Sequence, residues 1–264
     1  MEIDFENLTA EIKQAVDTLI QTYGQSAKVY AKFDGSLVTD LDRQLQQGLC
    51  DLLARRYPKI EFLGEEMTQE AQHAVITQAP AYWCLDPLDG TSNFVHGIPF
   101  WAVSLALVRN TRVEYAVVID PLRNECFSAV LGQGAWLNAN RLRYAPLAPP
   151  LRDCIVGVDF KRLTPELSCY LVSNPPYRSQ RNFGSCALEW CWIAKNRIQA
   201  YLHGGMKFWD YAAGLLILSE AGGHSSTLEG EPVFAPTLPK RSVVAAANEA
   251  LWHEWRDYLN LARR

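Results

Sequence analysis

The feature that most constrains the fold is a block of strand-length apolar or β-branched runs between residues 82 and 130. Asn110 and Thr111 separate the second run from the third, which indicates a tight hairpin. Runs of this length and composition predict β-strands. The four predicted strands are Tyr82–Leu85, Ala102–Val108, Val113–Ile119 and Cys126–Val130.

Helical patterns precede this block and mixed patterns follow it. Apolar residues at helical spacing run from Leu8 to Tyr23, with Gly24 as the expected C-cap, and a second helix is predicted from Thr39 to just before Pro58. Helices and strands in unequal blocks predict layered α/β or α+β packing rather than a simple doubly wound sheet. The other predicted elements are strands Ile60–Leu63, Ile155–Phe160, Ile198–His203 and Ser242–Ala246, helices Ser185–Lys195 and Trp209–Ala221, and a C-terminal helix.

Composition limits the class of protein. The 264 residues are 48% hydrophobic and carry a net charge of −4. No stretch approaches the ~20 apolar residues of a membrane span, and the first residues lack an export-signal pattern. Mild acidity without a basic run gives no reason to expect nucleic-acid binding. We therefore expect a soluble cytoplasmic protein, a single unit over 1–264, with halves 1–145 and 151–264 divided at the Pro-rich residues 145–150.

The seven cysteines are scattered and include no CxxC pair. This pattern excludes a zinc knuckle and a thioredoxin-like redox motif. Most of them lie in apolar runs, where a free thiol behaves as a small hydrophobic group. We expect reduced core residues.

The segment Trp83–Thr91 carries the strongest chemical signal. An apolar strand ends in Asp86 and Asp89, and Pro87 fixes a turn between them. Two carboxylates directed at one point suit Mg²⁺, while Gly90 and Thr91 could begin a helix whose amides face an anion. The alternative for this segment alone is a turn with a helix N-cap.

Three other acidic segments have the same ambiguity. Glu65 and Glu66 follow a short strand, and the alternative is a solvated loop. Asp210 begins a helix whose small residues allow close packing, and the alternative is an N-cap. Thr39 and Asp42 have the spacing of a capping box.

The order of these motifs along the chain resembles the inositol monophosphatase family, part of a superfamily of Mg²⁺-dependent, lithium-sensitive sugar and nucleotide phosphatases. The segment Asp89–Pro99 is similar to the inositol monophosphatase branch in particular. The resemblance implies an α/β (α+β layered) fold, namely a five-layer αβαβα sandwich, and a homodimer. The motifs are Thr39-x-x-Asp42, Gly64-Glu65-Glu66, Asp86–Thr91 and Trp209–Ala213.

The resemblance also implies roles for individual residues. Two or three Mg²⁺ ions are expected, the first held by Glu65, Asp86 and the Leu88 carbonyl. The second is expected on Asp86, Asp89 and Asp210. Thr91 and Glu65 would position and deprotonate the attacking water, with Asp42 orienting Thr91. The substrate contacts implied are Asp89, Gly90, Thr91, Gly184, Ser185, His203 and Asp210.

His203 departs from the family pattern, because many members have a glutamate there that binds inositol hydroxyls. A neutral imidazole offers one acceptor, whereas a carboxylate can accept from two hydroxyl groups. We therefore expect inositol 1-phosphate not to be the best substrate. The alternative is that His203 ends a strand and points into solvent.

The predicted function is Mg²⁺-dependent hydrolysis of a small phosphorylated polyol or sugar by a metal-activated water. A 3′(2′),5′-bisphosphate nucleotidase or a fructose-bisphosphatase-type enzyme would use the same metals. A non-catalytic regulatory protein associated with transcription is the alternative from another class. The presence of every expected metal carboxylate favours an enzyme.

Overall fold

Two β-sheets alternate with three helical layers. The structure is a computed structural model that describes residues 3–24, 27–32, 35–143 and 149–263. Its helices are α1 (Phe5–Tyr23), α2 (Asp40–Arg56), α3 (Gln69–Gln78), α4 (Thr91–Val95), α5 (Pro165–Ser173), α6 (Cys186–Ala194), α7 (Phe208–Glu220) and α8 (Glu249–Ala262).

The strands form one small and two large sheets. A two-stranded sheet joins β1 (Val29–Ala31) and β2 (Leu37–Thr39). The seven-stranded sheet runs in chain order through β3 (Glu61–Gly64), β4 (Ala81–Asp89), β5 (Ala102–Arg109), β6 (Arg112–Asp120), β7 (Glu125–Val130), β8 (Gly134–Leu137) and β9 (Asn140–Arg141). The five-stranded sheet contains β10 (Ile155–Asp159), β11 (Ser179–Arg181), β12 (Ala200–Met206), β13 (His224–Ser226) and β14 (Arg241–Ala246), in the order β11-β10-β12-β14-β13.

The first five residues of β4, Ala81–Leu85, are apolar because helices cover both faces of the strand. Trp83 and Leu85 pack in a core cluster with α1 and α2. Tyr82 and Cys84, on the opposite face, pack in a second cluster with α6 and α7. A strand buried on both sides has a nearly continuous apolar sequence instead of an alternating one.

The five-stranded sheet is covered in the same way. Val243 and Ala245 of β14 belong to the cluster of α6 and α7. Val244 and Ala246 pack with Trp255 of α8 in a third cluster, on the outer face. Helices therefore lie outside and between the sheets, and the expected five-layer αβαβα sandwich is confirmed.

The two central helices pack very closely. A Cβ atom added at Gly214 of α7 would lie only 2.4 Å from Cβ of Trp190 on α6. The small residues after Asp210 therefore do bring α7 against α6, as the sequence predicts. This contact fixes the start of α7 relative to the seven-stranded sheet.

The hairpin prediction between β5 and β6 is confirmed. Asn110 and Thr111 have φ angles of 49° and 60°, the left-handed region that a two-residue hairpin with a type I′ turn requires. Gly24 is the C-cap of α1, as expected.

Other boundaries differ from the predictions. Helices α3 and α5 and strands β8, β9 and β11 were not expected, and β4 continues to Asp89 instead of ending at Leu85. In α3 only Gln72 is buried, so no apolar face marks this helix. The proposed boundary at 145–150 falls largely on residues 144–148, outside the described residues.

All seven cysteines are free, and Cys84, Cys126, Cys154 and Cys191 are buried. Cys169 is exposed, so the prediction of a core position is wrong for this residue, which lies on the outer helix α5. In the part of the chain that the structure describes, no helix has the length and hydropathy needed to cross a membrane.

Candidate active site

Strand β4 delivers two carboxylates to a cleft between the sheets. Asp86 and Asp89 are 2% and 7% exposed, and the pairing of β4 with β5 is irregular between them, where Pro87 lies. Asp86 Oδ1 accepts a hydrogen bond of 3.0 Å from the Leu88 amide. Both side chains line the cleft, but a strand irregularity, and not the predicted turn, lies between them, because β4 continues to Asp89.

Asp89 is held by the N-terminus of α6. Its Oδ2 accepts from the Ser185 hydroxyl at 2.5 Å and from the Ala187 amide at 2.7 Å. Ser185 is the N-cap of α6 and is fully buried. Ser185 therefore lies behind Asp89 and is not among the residues that line the cleft, and its expected contact with substrate stays a prediction.

The turn after β4 is fastened to the loop before α6. Gly90 has a φ of 95°, and a Cβ atom there would lie 3.1 Å from the Phe100 carbonyl and 3.2 Å from the Gly184 carbonyl. The Asn93 side-chain amide donates to the carbonyls of Phe100 and Phe183, both at 2.7 Å. Only glycine fits such a close approach in this conformation.

Asp210 comes from the first turn of α7. Lys207 is the N-cap, and its amide donates to Asp210 Oδ2 at 2.8 Å. The alternative that Asp210 is the N-cap residue is therefore wrong, because Asp210 lies three positions after the N-cap. Its carboxylate is oriented by the backbone and by the contact of α7 with α6.

Glu65 follows β3 beside the parallel strand β4, and its amide donates to the Leu85 carbonyl at 3.1 Å. Glu65 Oε1 lies 3.1 Å from Lys32 Nζ and 3.3 Å from Lys207 Nζ. Lys32 also contacts Glu66 at 2.5 Å. Lys32 and Lys207 thus offset the repulsion expected between the adjacent glutamates. The alternative of a solvated loop includes no such ion pairs.

The buried carboxylates raise one another's proton affinity. Burial, followed by the charges of Glu65, Asp89 and Asp210, raises the pKa of Asp86 well above its usual value. Burial raises the pKa of Asp89 to about 6, although hydrogen bonds from Ser185 and α6 amides oppose this. Burial, then Asp89 and Glu65, raises the pKa of Asp210 to about 8. An ion pair with a cation would relieve this repulsion.

Asp42 supports Thr91 from behind the cleft. Asp42 Oδ2 accepts from the Thr39 amide at 2.7 Å and the Thr39 hydroxyl at 2.5 Å, which completes the predicted capping box. Thr91 Oγ1 lies 3.4 Å from Asp42 Oδ1 and 3.0 Å from the Leu88 carbonyl. Burial raises the pKa of Asp42 to about 6. Asp42 therefore has both a capping contact and a contact with Thr91.

Sequence comparison identifies the family. The model of the inositol monophosphatase family matches residues 3–260. The chain belongs to the inositol monophosphatase family. It is 33% identical to inositol monophosphatase 1 of Sus scrofa over 221 residues, which cover 81% of this chain and 78% of the relative. It is 36% identical to the Nus factor SuhB of Xylella fastidiosa over 197 residues, or 73% of this chain and 69% of that protein.

A solved structure supports the same assignment. The crystal structure of the extragenic suppressor protein SuhB from Bartonella henselae superposes with a TM-score of 0.84 at 27% identity, covering 97% of this chain and 98% of that one. The resemblance drawn from the motifs and the five-layer fold is therefore confirmed for this inositol monophosphatase family member.

The donor set of the cleft fits a hard divalent cation. Four carboxylates from three separate segments line the cleft, Glu65, Asp86, Asp89 and Asp210, and Leu88 lines it with them. Oxygen ligands of this kind suit Mg²⁺. Among the described residues, no three His, Cys, Asp or Glu side chains already surround one point as metal ligands, and Glu65 is paired with lysines. The chemistry of the donors therefore fits the ion, while the carboxylates stand around a cleft instead of a closed cage.

The other end of the cleft is formed by the five-stranded sheet. His203 lines it and is only 4% exposed, so the alternative of a solvent-directed side chain is wrong. Beside His203 lies Asp159, which the sequence analysis missed. The same signal that marked Asp86, an apolar strand ending in aspartate, was present at β10 and could have found it. Further cleft residues missed from sequence are Lys161, Arg162, Asn182, Glu189, Tyr201 and Lys240.

Proposed function

We propose that this chain is a Mg²⁺-dependent phosphomonoesterase that hydrolyses a small phosphorylated polyol or sugar. The observation that carries the proposal is the convergence of Glu65, Asp86, Asp89 and Asp210 on one cleft from three separate segments, the end of β3, β4 and α7. Asp86, Asp89 and Asp210 have raised pKa values, an arrangement that a bound cation would stabilise. Membership of the inositol monophosphatase family supports the reaction class.

The bound metal would supply an activated water and would neutralise charge on the phosphate. The chain's own contribution begins with orientation. Ser185 and the amides of α6 hold Asp89, and the Lys207 amide holds Asp210. Because these donors are fixed by the fold, the carboxylates need little reorganisation to receive the ion.

Thr91 and Asp42 are proposed to orient the attacking water so that Glu65 can accept its proton. A threonine hydroxyl has one proton to donate and lone pairs that accept. If Thr91 donates to Asp42 Oδ1, 3.4 Å away, its lone pairs are left to accept a hydrogen bond from the water, with Glu65 as the base. Gly90 and Thr91 amides are proposed to contact the phosphate oxygens.

The cleft has two ends with different proposed tasks. The phosphate end comprises Glu65, Asp86, Asp89, Thr91 and Asp210. The alcohol end, beside β10 and β12, is proposed to accommodate the remainder of the substrate. It comprises Asp159, Lys161, Arg162, Glu189, His203 and Lys240.

A phosphate-release panel with and without Mg²⁺ tests the proposal on inositol phosphates, sugar phosphates, glycerol phosphates and nucleotides. We expect Mg²⁺-dependent release, and a loss of at least about 100-fold in Asp89→Asn, because even residues that only orient metal ligands are worth about 10–100-fold. Asp120→Asn is the matched control. Asp120 is also a buried strand-end aspartate, but it binds Arg123 outside the cleft, so its variant should keep turnover. Near-normal turnover in Asp89→Asn would exclude the proposed metal site.

The same panel tests finer predictions about the substrate. Inositol 1-phosphate is expected not to give the highest kcat/KM. The exposed cations Lys161, Arg162 and Lys240 at the alcohol end favour compounds with a second anionic group, which includes the nucleotidase and fructose-bisphosphatase alternatives. The number of Mg²⁺ ions, two or three, a homodimer and a cytoplasmic location also remain predictions. Sedimentation equilibrium tests the dimer.

A regulatory role is the second candidate, and the similarity to the Nus factor SuhB of Xylella fastidiosa favours it. This role does not require turnover. A wild-type chain that binds Mg²⁺ but releases phosphate from no compound in the panel would support regulation over catalysis.

A further inference from the structure

Asp159 stands out at the alcohol end because one of its oxygens has no partner. It is the last residue of β10, it is only 7% exposed, and it lines the cleft. Its Oδ1 is buried and makes no hydrogen bond among the residues that the structure describes. A buried carboxylate oxygen without a donor is costly, which calls for a ligand or an ordered water at this position.

His203 fixes the other oxygen of Asp159. The parallel register of β10 and β12 pairs the two residues, and His203 Nε2 lies 3.5 Å from Asp159 Oδ2. The Gly205 amide donates to His203 Nδ1 at 3.1 Å. Since Nδ1 accepts, the neutral ring carries its proton on Nε2 and directs it at Asp159. Both ring nitrogens are therefore engaged inside the protein.

The charge states of the pair agree with this geometry. Burial lowers the pKa of His203, which keeps the ring neutral at pH 7. Burial would raise the pKa of Asp159, but the hydrogen bond from His203 and the charges of Lys161 and Arg162 outweigh it, so the pKa is lowered. Asp159 is thus an ionised acceptor. Its neighbours lower its pKa, but none of the described residues donates a hydrogen bond to Oδ1.

We propose that Asp159, oriented by His203, selects the alcohol part of the substrate by accepting a hydrogen bond from a hydroxyl group of the phosphorylated polyol or sugar. Asp159 is the specificity-determining residue, and His203 is a positioning residue that does not itself touch the substrate. The inference rests on the proposed phosphomonoesterase function and adds its means of recognising hydroxyl groups. A carboxylate acceptor is therefore present at this end of the cleft, on the strand next to His203.

The test compares substrates that differ in hydroxyl groups. Wild type and Asp159→Asn are assayed with glycerol 2-phosphate and inositol 1-phosphate, which carry free hydroxyls, and with n-butyl phosphate, which has none. A hydrogen bond to a charged group corresponds to a factor of about 10–100. We expect kcat/KM to fall by about that factor for the two polyol phosphates, mainly through KM, and to stay within about twofold for butyl phosphate.

Two further variants keep the result interpretable. Asp153→Asn changes an exposed aspartate just before β10 that pairs with Arg178 outside the cleft, and should leave all three substrates unchanged. His203→Leu removes the donor to Asp159 and should lower the polyol preference in the same direction, by a smaller factor. If Asp159→Asn does not fold, the polyol preference of His203→Leu tests the proposal in its place.

The outcomes distinguish a failure of this inference from a failure of the proposed phosphomonoesterase function. If wild type releases phosphate from no substrate, the phosphomonoesterase proposal fails. If wild type is active and Asp159→Asn loses the same factor on butyl phosphate as on the polyol phosphates, or loses nothing, the specificity role of Asp159 is wrong. A polyol-specific loss in His203→Leu with none in Asp159→Asn would make His203 the contact and would also overturn the proposal.

Discussion

The two ends of the cleft place the same residue type in opposite electrostatic surroundings. At the phosphate end, Asp86 and Asp210 lie next to other carboxylates, and their pKa values are raised. At the alcohol end, Asp159 is buried beside His203 and two cations, and its pKa is lowered. Asp86 lies near the end of a strand, Asp159 at the end of one, and Asp210 in the first turn of a helix.

This difference indicates what each end requires from outside. Carboxylates that raise one another's pKa are stabilised by a cation, and among the described residues the lysines paired with Glu65 at the phosphate end are Lys32 and Lys207. The alcohol end already contains positive charge, and its ionised Asp159 needs only a hydrogen-bond donor. The phosphate end is thus suited to metal ions, and the alcohol end to hydroxyl groups.

The largest effect in this comparison is expected from Asp42→Asn at the phosphate end. If Asp42 orients Thr91, kcat should fall by about 10–100-fold, the range for residues that position a metal site's ligands. Melting temperature should change little, because asparagine also serves at helix N-termini. Steady-state kinetics together with thermal unfolding measures both quantities.

Thr164→Ala is the matched control for the capping role of Asp42. Thr164 caps α5 on the outer layer, so its replacement should cost about 1 kcal/mol of stability and no activity. If Asp42→Asn behaves like Thr164→Ala, with lower stability and normal kcat, then Asp42 only caps α2.

A smaller effect, on stability alone, is expected from Glu189→Gln at the alcohol end. Burial raises the pKa of Glu189 to about 8, while a hydrogen bond from Tyr201 opposes this. Between the ordinary pKa of about 4.3 and 8 the folded chain holds a proton that the unfolded chain has released, so stability falls as pH rises through this window. Glutamine keeps the hydrogen bonds and has no charge to bury.

Thermal unfolding from pH 5 to pH 9 measures this difference. The stability of Glu189→Gln relative to wild type should rise between pH 5 and 8, by an amount on the order of a few kcal/mol, and level off above 8. A constant difference across the range would mean that Glu189 is not buried as a neutral acid. The difference in pKa between Glu189 and Asp159, which is attributed to the charges around Asp159, would then lose its support.

The sequence predicted the phosphate end better than the alcohol end for a physical reason. Asp86 and Asp89 are three positions apart in the chain, and the irregular end of their strand is set by local residues such as Pro87 and Gly90. Asp159 and His203 are 44 residues apart and meet only because β10 and β12 pair in parallel. Strand pairing of this kind is a tertiary property that no local pattern specifies.

The fold shows the same division between local and tertiary information. The hairpin at Asn110 and the close packing at Gly214 follow from residue types in short segments. Helix α5 also had local signals, since Thr164 is its N-cap and Pro165 its first residue, and these signals were overlooked. Helix α3 likewise starts after an N-cap threonine, Thr68, but it has no apolar face, because its burial rests on Gln72, whose side chain donates to the carbonyls of Gly64 and Glu65.

The most direct test of the central claim is the change in melting temperature on adding Mg²⁺ to wild type and to Asp210→Asn. We predict that Mg²⁺ raises the stability of wild type, by about 2.7 kcal/mol at 100 times its Kd. Asp210→Asn should match or exceed the metal-free wild type, because the amide has no charge to bury and no proton to take up on folding, and should lose the response to Mg²⁺. An equal response to Mg²⁺ in both proteins would contradict a metal site built on these carboxylates.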